Sequence, residues 1–131
     1  MNLRNVHLDE PLTAPATASV IEIARLLRDK KRRHIYLLDE KEFPIGIISI
    51  TDINAKVVAE GKSPDGLVAT DIMTTPLHMI DIENDIEKAY YEMVAHETLA
   101  VPVTDNGLLA GVLSLSEALR LMLRGDDGAR R

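Results

Sequence analysis

The sequence predicts an α/β (α+β) fold in which two β-α-β-β-α repeats pack as one pseudo-twofold module. The first observation behind this is a duplicated stretch. Gly46-Ile47-Ile48-Ser49-Ile50-Thr51-Asp52 returns as Gly111-Val112-Leu113-Ser114-Leu115-Ser116-Glu117, 65 residues later. The second is that flanking segments repeat at nearly the same distance. Ser19–Ile23 matches Asp85–Ala89, and His34–Asp39 matches Ala100–Asp105, both 66 residues apart. The third is that one residue is lost in a turn, Glu40–Ile45 against Asn106–Ala110, which reconciles the two offsets. An internal repeat of this kind outranks local propensity, because it fixes the architecture.

The elements follow in order. Residues 1–10 read as an N-terminal arm packing beside the second copy, and 11–61 as the first motif. Pro11-Leu12-Thr13-Ala14 opens that motif in extended form, as Pro76-Leu77-His78-Met79 opens the second. Ser19 supplies a helix cap, and Val20, Ile23, Ala24 and Leu27 recur at the helical period. That helix ends in the basic run Lys30-Lys31-Arg32-Arg33. Two strands follow, His34–Leu38 and Ile45–Ile50, rich in β-branched residues and separated by a turn. A helix is expected from Asp52 to Glu60, stopped by Gly61, whose lack of a side chain suits a left-handed cap. Residues 62–75 read as a connector with the turn signal Ser63-Pro64-Asp65-Gly66.

Residues 76–125 repeat the pattern. A helix begins at Asp85 with Ile86, Ala89, Met93 and Val94 on its apolar face. Strands over Leu99–Val103 and Leu109–Leu115 flank Asn106-Gly107, a hairpin-turn dipeptide. A last helix runs from Ser116 to Arg124 and ends at Gly125, leaving 126–131 as a polar, frayed tail.

Composition limits the function classes. Of 131 residues, 46% are hydrophobic and 27% charged, the balance of a soluble globular protein. There is no cysteine, which excludes disulfides, thiolate metal sites and cysteine nucleophiles. No apolar run has the length of a membrane span and the N-terminus does not begin a signal peptide, so a cytoplasmic location is expected. A net charge of −6 and 3% aromatics argue against nucleic-acid backbone binding and base stacking. His7, His34, His78 and His96 are scattered without metal-ligand spacing, and no nucleophile is paired with a base. Catalysis and a bound metal or cofactor are therefore not expected.

The repeated motif resembles that of the CBS domain family, named for cystathionine β-synthase. The family pattern of glycine, apolar, any, Ser or Thr, any, any, Asp stands here as Gly46 to Asp52. Asp71-Ile72-Met73-Thr74-Thr75-Pro76 resembles the family's entry into a second copy. The resemblance covers about Pro11 to Gly125 and implies a paired module that binds an adenine nucleotide as regulatory ligand. A carboxylate accepts from both hydroxyls of a cis-diol, and in nucleotide-binding members the aspartate at the position of Asp52 holds ribose. The competing structural role for Asp52 is a helix N-cap. Ser49 and Thr51 are candidates for ribose or phosphate contacts, with Thr13 and Ala14 of the opening segment in the same ligand set. Arg33 and His34 sit where phosphate-binding members carry basic residues. Arg33 offers a planar fork of donors to phosphate oxygens; the alternative is a solvated helix end favoured by the dipole.

In the second copy Leu99 and Ala100 replace Arg33 and His34, and Glu117 replaces Asp52. Ser114, Ser116 and Glu117 therefore mark a degenerate site. The leading reading is a regulatory module that binds AMP, or ADP or ATP, in the cleft between its repeats and signals to an unidentified protein partner. The family's habit of pairing modules implies a homodimer. The alternatives are a scaffold of the same fold with no ligand and, more weakly, nucleic-acid binding through Lys30–Arg33.

Overall fold

The computed structural model describes residues 1–129, with side chains up to Arg124. The chain divides into two compact units. One holds Pro11–Leu77, and the other joins Met1–Glu10 to the chain from His78 onward.

In the first unit, β1 (Thr13–Pro15), β2 (His34–Leu38) and β3 (Pro44–Ser49) form a sheet in that order. β1 and β2 are parallel, with Ala14 opposite Leu37, so α1 (Val20–Lys30) is the crossover that parallel strands require. Ser19 caps α1 by accepting from the Glu22 amide at 3.1 Å, and Lys31 ends it at φ 55°. Val20, Ile23 and Leu27 then face Ala14, Ile35, Leu37 and Ile48 in one core. β2 and β3 are antiparallel, which places His34 opposite Ser49.

The second unit repeats this with β4 (Ile80–Asp81), α4 (Ile86–Ala95), β5 (Ala100–Asp105) and β6 (Leu108–Ser114). Its core is built on Leu3, Ile86, Met93, Val101, Val103 and Leu113. Both hairpins carry a register shift at the equivalent place, Leu37/Leu38 and Val103/Thr104. The turn residues Asn106 and Gly107 stand at φ 53° and 85°, the two positive values that a type I′ hairpin needs.

The repeat reaches further towards the N-terminus than the sequence indicates. The Val20 amide bonds the Leu67 carbonyl, and 66 residues on the Ile86 amide bonds that of Met1, both at 2.9 Å. Thr74 exchanges two backbone hydrogen bonds with Ile47, and Asp9 does the same with Val112. The segment preceding each repeat is therefore packed on the other repeat's strands and helix. Two glycines make room for it. A Cβ on Gly46 would lie 2.6 Å from the Met73 sulfur, and one on Gly111 would lie 2.5 Å from Leu8 Cβ.

Several expectations are corrected. The span 62–75 is more than a connector: it contains α3 (Ala69–Ile72), whose Ala69 and Ile72 are buried in the first core. The opening segments align one residue later than Pro11 with Pro76. Ile80 faces Val103 as Ala14 faces Leu37, so this offset is 66 rather than 65. The helix after β3 begins at Ile50 instead of Asp52, as α2 (Ile50–Ile53) continuing into a π-helix over Asn54–Val58. It does stop before Gly61, which stands at φ 67°. Gly125 does not end the last helix: α5 (Leu115–Ala129) continues through it. Of the expected polar tail, Arg130 and Arg131 lie outside the described residues.

Candidate functional site

Where β3 runs into α2, the chain turns from extended to helical at Ser49. Its side-chain oxygen accepts from the Asp52 amide at 3.0 Å, while Asp52 Oδ2 accepts from the Ser49 amide at 2.8 Å. The two residues form a capping box, each satisfying a backbone donor that the first turn leaves open. The N-cap role considered for Asp52 thus belongs to Ser49, and Asp52, the third helical residue, closes the box. The Ile50 amide bonds the Arg33 carbonyl at 3.2 Å, which fixes the end of α1's loop beside this turn.

These constraints form an open pocket of about 400 Å³ lined by Arg33, His34, Ser49, Ile50 and Thr51. The volume falls in the range of small-ligand sites, roughly 300–1,000 Å³. Arg33, His34 and Thr51 are exposed, and Ser49 is half-buried. Strand alternation would put Arg33 and His34 on opposite faces. Both nonetheless line the pocket, because Arg33 precedes β2 and is free of its alternation. Thr13 and Ala14 are not among the residues that line this pocket. They lie on β1 opposite Tyr36 and Leu37, with Ala14 in the core.

Asp52 stands one residue beyond the lining, and its side chain is 16% exposed. Its Oδ1 accepts from Thr74 Oγ1 at 3.2 Å and pairs with Lys56 Nζ at 3.2 Å. Partial burial pushes the carboxyl up. The hydrogen bonds from Ser49, Lys56 and Thr74 and the lysine charge outweigh that and hold it below the ordinary carboxylate range. Sequence reading missed Lys56 and Thr74. Lys56 was readable from its i,i+4 spacing to Asp52. Thr74 was not, since its place depends on the pairing with Ile47.

In the second repeat Ser114 again caps the helix, accepting from the Glu117 amide at 3.1 Å. The longer Glu117 side chain does not turn back to close the box; it pairs with Arg120. Ser114 and Ser116 lie 3.3 Å apart through their hydroxyls. Leu99 is 80% exposed where the first repeat has Arg33. The histidines are less scattered than the sequence implies: the rings of His78 and His96 stack 3.8 Å apart, and His78 lies 3.5 Å from the Glu92 carboxylate. Among the described residues, no group of three or more His, Asp or Glu side chains is placed to hold a metal ion. No described helix is long and apolar enough to cross a membrane.

The family model described as "CBS domain" matches residues 3–59 and again residues 68–124. The chain belongs to the CBS domain family. The two matches start at Leu3 and Val68, in agreement with the extended repeat that the hydrogen bonds define. A CBS domain protein from Pyrobaculum aerophilum, solved in complex with AMP, is similar over 95% of this chain and 99% of its own, at 25% identity and a TM-score of 0.76. The CBS domain pair of protein MJ0100, solved with 5′-methylthioadenosine and S-adenosyl-L-methionine, is similar over 100% and 98%, at 23% identity and a TM-score of 0.74. By sequence, an uncharacterised protein of Methanopyrus kandleri is 32% identical over 84% of this CBS pair. The chain spans 57% of that relative's length and 21% of a CBS domain-containing protein from Arabidopsis thaliana.

Proposed function

We propose that this CBS pair is a regulatory module that binds an adenine nucleotide, AMP foremost, at the pocket of the first repeat. The observation that carries the reading is the grouping of the Arg33 guanidinium and the His34 imidazole with the hydroxyls of Ser49 and Thr51 around one 400 Å³ pocket, with Asp52 next in sequence to its lining. Arg33 is the phosphate donor and Asp52 the acceptor for the ribose diol. Among the described residues neither Arg33 nor His34 has a protein partner for its side chain, which leaves both available to an anion. The AMP complex of the Pyrobaculum protein supports the same ligand class.

Ligand binding would act by favouring one state of the module, to the extent of its differential affinity for the two. The recipient of the signal is another protein chain, with a second copy of the module as the nearest partner and the cytoplasm as the setting. Isothermal titration calorimetry with AMP, ADP, ATP and adenosine tests this. AMP binding that exceeds adenosine binding is the expected result. An absence of heat and of thermal stabilisation for all four ligands would leave a CBS scaffold without a nucleotide and overturn the proposal.

A further inference from the structure

The Asp52 carboxylate is fully engaged within its own unit. A carboxylate offers about four lone-pair sites, and four donor contacts fill them. Oδ2 takes the Ser49 amide at 2.8 Å and the Ser49 hydroxyl at 3.2 Å, while Oδ1 takes Thr74 Oγ1 and Lys56 Nζ, each at 3.2 Å. A sugar hydroxyl can therefore bond Asp52 only by displacing one of them.

The four donors differ in what displacement costs. The Ser49 amide belongs to the capping box and has no alternative acceptor in the helix turn. Lys56 is different, because its ammonium also donates to the Ile72 carbonyl at 2.8 Å and to Thr74 Oγ1 at 3.2 Å. It can leave Asp52 without being left unpaired. Its side chain is 40% exposed, so water can also replace the carboxylate.

We propose that Lys56 is a specificity-determining residue of the site: by occupying Asp52 Oδ1 it competes with the sugar diol and so sets the preference for ribose over deoxyribose. The inference rests on the nucleotide-binding reading above. It runs against the simple expectation that a lysine near a nucleotide site strengthens binding. Removing Lys56 frees one acceptor position, so ribose ligands gain and ligands that do not use Asp52 do not.

Neutral nucleosides isolate this from phosphate electrostatics. The test compares adenosine with 2′-deoxyadenosine on wild type, Lys56→Met, Lys56→Arg and Thr74→Val, with circular dichroism confirming the fold. Lys56→Met keeps the aliphatic stem and should raise the ratio of deoxy to ribo dissociation constants by about fivefold, the effect of releasing a partly exposed ion pair. Thr74→Val should move the ratio the same way, and Lys56→Arg should stay near wild type. A ratio that is unchanged or falls in Lys56→Met means that Lys56 is structural or touches the ligand, and overturns the proposal.

A second readout needs no ligand. NMR titration of the Asp52 carboxyl should move upwards in Lys56→Met, and no movement would show that the pair is not formed, again overturning the proposal. If wild type binds no adenine nucleoside or nucleotide while the titration does move, the nucleotide reading fails and takes this inference with it, although the ion pair stands.

Discussion

Replacing Asp52 by alanine should destabilise the protein as well as weaken a ribonucleotide, and the stability loss has a pH signature. In the folded chain the carboxylate closes the capping box with Ser49, accepts from Thr74 and pairs with Lys56. Loss of the hydrogen bond that closes the capping box costs about 1 kcal/mol, and a partly exposed ion pair adds up to about 1 kcal/mol. Asp52→Ala should therefore cost about 1–2 kcal/mol at pH 7. Asp52→Asn retains an oxygen for the Ser49 amide and should cost about half as much. The Asp52 pKa is lowered on folding, so its contribution is fully present above the unfolded-state value of about 3.9. It is lost as pH falls through the lower folded-state value. Urea denaturation at pH 7 and at pH 3 and below measures the effect, and wild type and Asp52→Ala should converge as the pH falls. A difference that holds constant with pH, or is absent at pH 7, would refute the account of Asp52 as a charged residue closing the capping box.

The glycines of the two repeats should not tolerate alanine equally. Gly111→Ala pushes a Cβ against Leu8 Cβ at 2.5 Å, close to the backbone, whereas Gly46→Ala meets the flexible end of Met73. Gly111→Ala should cost more, at the upper end of the roughly 1–3 kcal/mol of overpacking, as read by thermal denaturation of the two variants. At the pocket, Arg33→Ala or His34→Ala should weaken AMP at least tenfold, about 1.4 kcal/mol, with little effect on adenosine by calorimetry. If both variants keep wild-type AMP affinity, the phosphate is held elsewhere. Calorimetry should also return one phosphate-dependent site per chain, because Leu99 and Ala100 offer no cation in the second repeat. Two equivalent sites would contradict that.

The fold was legible because its signals are local and occur twice. The glycine-to-acid motif, the two helix caps at Ser19 and Asp85 and the Asn106-Gly107 turn each carry their own chemistry, and duplication sets their register. Boundaries were less legible where a residue type has two uses. Ser49, Thr51 and Asp52 are all capping residues, and only the backbone shows that the first is the cap and the third closes the box. The exchange of leading segments was hidden, because Leu3 and Ala69, or Asp9 and Thr74, share position but not chemistry. Thr74 reaches Asp52 across 22 residues of chain, and no periodicity announces such a contact.

Comparison of the two repeats separates scaffold from site. Features that build the turn occur in both: a glycine under a crossing segment, a serine cap, an acid three residues on, and a backbone bond from the first helical amide to the residue before β2 or β5. Shared by both repeats, these features build the turn and do not by themselves distinguish one repeat as a ligand site. The side chains that differ are Arg33 against Leu99, His34 against Ala100, Lys56 against Leu121, and Thr74 against Asp9. None is needed for the turn, since the second repeat folds it without them. Arg33 and His34 bring a guanidinium and an imidazole to the first pocket, whereas Lys56 and Thr74 engage the Asp52 carboxylate. The asymmetry between the repeats is what supports placing the proposed nucleotide site in the first.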